Sequence, residues 1–145
     1  MVDEHLIRER LRLLVEYIED LQDVQGVSLA EFQENKVLRR FIERTLQLAI
    51  EACLDIGSHI IAAEGYREPQ YNRDVVEILS EHGWLSQDVK NNLVGMVGFR
   101  NILVHDYAAI DPVIVFGVLE RRLEDLESFA RAILTRLEAE TRADA

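Results

Sequence analysis

The chain has 145 residues, 48% of them hydrophobic, and a formal net charge of −11 at pH 7. This length suits one hydrophobic core, so we predict a single domain over residues 1–145. The acidic balance argues against a protein that coats nucleic acid through clustered Lys and Arg, so any such contact must be local. A lone cysteine, Cys53, excludes an internal disulfide and a multi-cysteine zinc site.

The sequence predicts a cytoplasmic protein that does not cross a membrane. No run reaches the eighteen or so consecutive apolar residues of a membrane span. Charged residues from Asp3 onward do not match the start of a signal peptide.

Apolar residues spaced by three and four predict helices through the first half of the chain. The first helix runs from about residue 3 to 25 and ends at Gly26. Ser28 begins a Ser-x-x-Glu capping box that opens a short helical turn to about residue 35. A long helix over residues 36–64 then ends at Gly65. Its predicted inner face comprises Val37, Phe41, Leu48, Ala52, Ile56, Ile60 and Ala63, with Cys53 buried beside them.

The second half of the chain shows the same periodicity, with clear start signals. Asn72 is predicted to cap a short helix over residues 73–82, and Ser86 to cap the helix that follows. Asp111-Pro112 predicts the start of a last helix that runs to about residue 140. We therefore predict an all-α protein, an up-and-down bundle of four main helices with short extra helices. The side chains of the last helix predicted to be buried are Ile114/Val115, Val118/Leu119, Leu123, Leu126, Ala130, Ile133 and Leu137.

The segment from Arg100 to Tyr107 concentrates polar chemistry in an aliphatic stretch and has the form Arg-x4-His-x-Tyr. Arg100 supplies a permanent positive charge that suits an anion. His105 supplies an imidazole, the side chain whose charge changes around neutral pH, and Tyr107 supplies a hydroxyl. These groups suit cleavage of a phosphodiester. An RNA 2′-OH must lose a proton to attack its adjacent phosphate, and an imidazole can accept that proton. Arginine stabilises the charge that grows on the phosphoryl oxygens.

The spacing of the motif limits how one helix could use it. Arg100 and His105 point about 140° apart on an ideal helix, so they do not converge there. Asn101 and His105 are four residues apart and could touch, which would orient the imidazole. Two routes to convergence stay open: a helix end near residues 105–106, or a dimer in which Arg100 of one chain meets His105 of its mate.

No metal or other cofactor is required by this chemistry, because the segment lacks the paired carboxylates of a magnesium nuclease. Asp106 and Asp111 keep a weak metal alternative, and both could instead favour the charged imidazolium as neighbouring anions. A plainer interpretation is also open: Arg100 pairs with a carboxylate, His105 is a satisfied interface histidine, and Tyr107 packs with its hydroxyl at the rim.

Three other residues merit separate interpretations. His59 on the long helix is expected to be a hydrogen-bonded residue of the core or of a dimer interface. Gly95 and Gly98 precede Arg100 at a spacing of three, which favours close helix approach, within the chain or across a dimer.

At these residues the chain resembles the HepT toxins of the HEPN superfamily, small all-helical ribonucleases. Arg100-Asn101-Ile102-Leu103-Val104-His105-Asp106-Tyr107 looks like the family's Arg-x4-His-x-Tyr motif. Asp55-Ile56-Gly57-Ser58-His59-Ile60-Ile61 looks like its second recurrent segment.

The resemblance implies a homodimeric, metal-independent endoribonuclease that acts as a toxin on RNA. Arg100 and His105 would be catalytic, with Asn101 and Asp106 in support. A nucleotidyltransferase antitoxin similar to MntA would neutralise it by adding AMP to Tyr107, which would block an RNA phosphate by bulk and by repulsion. The RNA groove would be lined by Arg100 and by a subset of Lys36, Arg39, Arg40, Arg44 and Arg73.

Two alternatives remain at the level of sequence. One is a non-catalytic helical partner that binds a nucleotidyltransferase or a nucleotide through the same motif face. The other is a plain dimerisation bundle, in which substitutions in the motif would change stability and nothing else.

Overall fold

The computed structural model describes residues 2–105 and 110–144, and every regular element within them is an α-helix. Four helices are long and three are short, which confirms the prediction of an all-α bundle with short extra helices. The helices are α1 (Glu4–Asp23), α2 (Leu29–Glu34), α3 (Lys36–Glu64), α4 (Asn72–Glu81), α5 (Gln87–His105), α6 (Pro112–Arg121) and α7 (Leu123–Asp144).

Most helices begin where the sequence places a capping side chain. The Ser28 hydroxyl accepts a hydrogen bond from the Glu31 amide at 3.1 Å, and Ser86 does the same for Val89 at 3.2 Å. Asp111 accepts from the Val113 amide at 2.9 Å. These caps satisfy backbone donors that a helix leaves unpaired in its first turn.

The predicted cap of α4 was wrong by one residue. Tyr71 is the N-cap, and Asn72 is the first helical residue. The carboxylate of Asp74, in the first turn, accepts from the backbone amides of Gln70 and Tyr71 at 2.8 and 3.1 Å. A carboxylate at the third helical position can reach back to these amides, so Asp74 accepts backbone hydrogen bonds at the start of α4, the role predicted for Asn72.

Helix α3 is the centre of the bundle, and its bounds match the prediction. Its predicted inner face is confirmed at Ile56 and Ile60, which are fully buried, and wrong at Val37 and Phe41, which are 80% and 42% exposed. Leu48 and Ala52 are half-buried and Ala63 is exposed. The face is rotated because α3 packs against α1, α4, α5 and α7 and is apolar on more than one side. The buried hydrophobic side chains of α3 are Ile42, Leu46, Ala49, Ile50, Cys53, Leu54, Ile56, Ile60 and Ile61.

Helix α3 is also long and apolar enough, by length and composition, to cross a membrane. In its most apolar 18-residue window, 56% of the residues are buried inside the protein. Their partners are the side chains of the neighbouring helices, so the hydrophobicity of α3 is accounted for by its place in the core.

The predicted last helix is divided into α6 and α7 at Arg122, whose φ of −118° and ψ of 3° leave the helical range. No glycine or proline lies at the break. Glu124 and Asp125 occupy the first turn of α7, where negative charge stabilises a helix N-terminus. Upstream of the break, Val115 is fully buried, whereas Ile114 is 53% exposed and the prediction that it is buried was wrong.

A cluster at the turn between α4 and α5 sets where α5 begins. Trp84 is 2% exposed, and its indole N–H donates to the Tyr66 hydroxyl at 3.2 Å. The guanidinium of Arg136 on α7 lies 4.6 Å above the Trp84 ring, a cation–π contact. This anchoring positions the start of the helix whose far end carries Arg100 and His105.

Candidate active site

Arg100 is held against α3 by a carboxylate of that helix. Its Nη2 and Nε lie 2.9 and 3.3 Å from Glu51 Oε1. The two side chains are 19% and 33% exposed, so the pair is partly shielded from water. One part of the plainer interpretation is therefore observed, since Arg100 does pair with a carboxylate.

The ion pair does not use up the guanidinium. A third N–H, on Nη1, donates to Asn101 Oδ1 at 3.2 Å. A guanidinium has five N–H donors, and the described residues accept three of them. One donor on each terminal nitrogen therefore has no acceptor among the described residues. Glu51 and Asn101 thus fix the orientation of Arg100 and leave part of its fork available to an anion such as phosphate.

Glu51 and its neighbour Gln47 are site residues that the sequence interpretation missed. The Gln47 amide donates to the same Oε1 of Glu51 at 3.1 Å, so the carboxylate is held from two sides. Gln47 and Glu51 are four residues apart on α3, which is the spacing of a side-chain pair on one helix face. That signal was present in the sequence, but nothing in it indicated that this face meets Arg100.

His105 is the last residue of α5 and is exposed. Because α5 continues to His105, it and Arg100 keep the angular separation of an ideal helix. Among the described residues Asn101 forms no hydrogen bond with His105, and its Oδ1 accepts from Arg100 instead. The predicted helix end near residues 105–106 falls where the described residues stop, so it stays a prediction. Asp106 and Tyr107, the other two motif residues, lie outside the described residues.

A cleft of about 360 Å³ lies between α3 and the C-terminal end of α5. Arg40, Arg44 and Gln47 line it on the α3 side. Leu103 and Val104, the two residues before His105, form much of its apolar wall. The cleft therefore adjoins both the helix end that carries His105 and the amide that holds Glu51.

Glu43 also lines this cleft. Burial raises the pKa of its carboxyl above the ordinary value, and the charges of Arg39 and Arg40 only partly oppose that shift. A carboxylate among arginines reduces the attraction of the cleft for a phosphate.

The structure contradicts a core position for His59 and a close helix approach at the glycines within the chain, whereas their dimer alternatives stay predictions. His59 is not a core residue: its side chain is 40% exposed and its Nε2 lies 3.5 Å from Asp55 Oδ1, one turn earlier. A side chain added at Gly98 would meet no atom within 4 Å, and one at Gly95 would meet only the Arg122 guanidinium at 3.6 Å. Close helix approach at these glycines is therefore not seen among the described residues of this chain.

Cys53 is 2% exposed, as predicted, and burial raises the pKa of its thiol. Within residues 2–105 and 110–144, no group of three His, Cys, Asp or Glu side chains lies close enough together to hold a metal ion.

The fold and the motif together define a class, the small all-helical proteins of the HEPN superfamily. The solved structure of the tri-AMPylated HEPN toxin of Shewanella oneidensis in complex with MNT antitoxin is similar, with a TM-score of 0.82 and 33% identity. The match covers 93% of this chain and 99% of that one.

Two curated proteins give the same result at the level of sequence. The chain is 34% identical to the mRNA nuclease HepT of Shewanella oneidensis over 88% of its own length and 96% of the relative's. It is 28% identical to the tRNA nuclease HepT of Aphanizomenon flos-aquae, over 91% and 90% of the two lengths. Residues 14–133 match the model of the family described as ribonuclease HepT-like, and this chain belongs to that family.

Proposed function

We propose that this chain is a metal-independent endoribonuclease and the toxin of a toxin–antitoxin pair. The observation that carries the proposal is the state of Arg100. Glu51 and Asn101 orient its guanidinium, and two of its donors have no acceptor among the described residues. His105 is exposed five residues further on, beside a cleft that two arginines line. The names of the two HepT relatives, an mRNA nuclease and a tRNA nuclease, support RNA as the substrate.

In this proposal the two residues divide the chemistry. The 2′-oxygen of the RNA bonds to the adjacent phosphorus and the 5′-oxygen leaves, so one proton must be removed and another supplied. His105 transfers the proton as general base or acid. Arg100 stabilises the negative charge that grows on the phosphoryl oxygens. This route needs no metal ion.

We further propose that the active site is completed in a homodimer. Arg100 and His105 diverge on α5, so a second copy offers a way to bring one of each together. The exposed face of α5 supports this arrangement, since Gly98 has open space above it and Ile102 is 43% exposed. Residues 1–145 would form one domain in the cytoplasm, the compartment in which RNA and ATP are both present.

The direct test uses the unmodified protein, verified by intact mass, with total cellular RNA in excess EDTA. We expect cleavage to new fragments, with 2′,3′-cyclic phosphate ends that follow from attack by the 2′-oxygen. Loss of cleavage in EDTA and its recovery with magnesium would contradict metal independence. No cleavage with or without magnesium would favour a non-catalytic partner that uses the same residues to bind.

Tyr107 is proposed to be the acceptor through which an MntA-like nucleotidyltransferase neutralises the toxin. Its hydroxyl oxygen would form a bond to the α-phosphorus of ATP, and pyrophosphate would leave. The added AMP would place bulk and a negative charge two residues from His105 in the chain, where they oppose RNA binding. The AMPylated toxin among the solved relatives supports this form of control.

Tyr107→Phe is expected to cleave RNA but to escape neutralisation by the nucleotidyltransferase and ATP. The parent should gain mass in units of AMP and lose its activity, whereas the variant should keep its mass and its activity. Tyr71→Phe, which alters a tyrosine that is 77% exposed outside the motif, serves as the matched control. AMP addition to Tyr107→Phe with loss of activity would place the regulatory acceptor elsewhere.

A further inference from the structure

We propose that the cleft between α3 and the end of α5 binds the RNA backbone next to the cleaved phosphate, with Arg40 and Arg44 as its phosphate-binding residues. This inference rests on the proposed ribonuclease function and adds the residues that hold the substrate. It also explains how a chain of net charge −11 could bind a polyanion, since two arginines place positive charge locally at the cleft.

Of the basic residues that the sequence analysis proposed for the RNA groove, these two arginines are the ones that line the cleft. Arg39 donates to the backbone carbonyl of Gln33 at 2.7 Å, and Arg73 pairs with Glu77 at 2.9 Å. Lys36 lies beside a different depression, at the start of α3. Only Arg40 and Arg44 of this group line the cleft, where each is exposed.

Arg40 and Arg44 are also available to a ligand. Neither forms an ion pair or a hydrogen bond with another described residue, although Arg40 attracts Glu43 electrostatically. They are four residues apart, about one turn or 6 Å along the axis, so both side chains lie on the same face of α3. Two guanidinium groups in this arrangement can contact neighbouring phosphates of one strand.

The cleft is continuous with the motif. Gln47 lines it and donates to Glu51, which in turn holds Arg100. Val104 on the opposite wall directly precedes His105. A strand bound along Arg40 and Arg44 would therefore lead toward both motif side chains, and the apolar Leu103 and Ile110 suit contact with a ribose or base. Its volume of about 360 Å³ is within the range of ligand-binding clefts.

Glu43 provides a second, opposite test of the same cleft. Its carboxylate repels a phosphate, and Glu43→Gln removes that charge with little change in shape. RNA binding should therefore become tighter, by about 2-fold to 3-fold, as expected for one partly screened charge. A surface that served only for folding would show no such gain.

The experiment measures binding of a single-stranded oligonucleotide pool with 2′-O-methyl riboses, which cannot be cut by 2′-oxygen attack. Arg40→Gln/Arg44→Gln should raise Kd about tenfold or more. The slope of log Kd against log salt should fall by about 1.4, near 0.7 for each lost phosphate contact. The matched control is Arg131→Gln/Arg142→Gln, which removes two α7 arginines that form no ion pair within the described residues and should change Kd less than 2-fold.

The outcomes separate this proposal from the function on which it rests. The subsite would be overturned if the two double variants weakened RNA binding equally. It would also be overturned if Glu43→Gln and Arg40→Gln/Arg44→Gln both bound RNA like the parent. If unmodified RNA is not cleaved by the parent protein, the ribonuclease proposal fails, and the binding series still decides whether the cleft holds RNA. If the parent cleaves RNA and the cleft variants have the same KM as the parent, the subsite proposal fails and the ribonuclease proposal is retained.

Discussion

His105→Ala should lower kcat for RNA cleavage by about 10²-fold to 10⁴-fold, the range that a positioned general acid or base contributes. The loss should fall on kcat more than on KM, because an imidazole that moves a proton acts in the transition state. The folded state should be little affected, since His105 is exposed at the end of α5 and surface substitutions usually change stability by about 0.5 kcal/mol or less. Initial rates of cleavage, measured at several RNA concentrations in EDTA, give both constants.

The control for this variant is His5→Ala, the same change at an exposed histidine of α1. It should cleave at the parental rate and melt at the parental temperature. His105→Ala with an unchanged kcat would remove His105 from the chemistry. A large fall in its melting temperature would instead assign His105 a structural role.

Arg100→Lys is expected to lower kcat by about 10²-fold to 10³-fold, the effect of losing one preorganised donor to a developing negative charge. Lysine keeps the positive charge, but its single ammonium group cannot contact Glu51, Asn101 and a phosphate at the same time. Arg100 uses one nitrogen on Asn101 and two on Glu51 while keeping donors for phosphate. Recovery of most of the activity in Arg100→Lys would mean that charge alone is needed at this position.

Glu51→Gln separates the orientation of Arg100 from its charge. Glu51 contacts Arg100 at 2.9 Å, and we propose that it acts on the reaction only through Arg100, as a positioning residue. The variant should lose about tenfold in kcat, yet bind the 2′-O-methyl RNA at least as tightly, because one negative charge is gone. Glu77→Gln, which breaks the Arg73 pair elsewhere, should change neither constant. Weaker RNA binding by Glu51→Gln would contradict the positioning role.

The amino-acid sequence was enough to predict where most helices begin and end. Ser28, Ser86 and Asp111 accept the predicted amide hydrogen bonds, and Gly65 ends α3 with a φ of +70°. These features are local, because a cap or a left-handed glycine depends on residues only a few positions away. The motif from Arg100 to Tyr107 is local in the same sense, so it can be recognised without the fold, and the chemistry assigned to it stays a prediction.

What the sequence could not determine depends on which surfaces meet. The broad apolar surface of α3 allowed several inner faces, and its neighbours selected the row through Ile42 and Leu46 over the predicted Val37 and Phe41. Glu51 became a partner of Arg100 only because α3 packs against α5, 49 positions away in the chain. Helix caps are decided within one turn, whereas ion pairs and clefts between helices are decided by packing of the whole bundle. The local features of this protein could therefore be derived from its sequence, and the arrangement around Arg100 only from its tertiary structure.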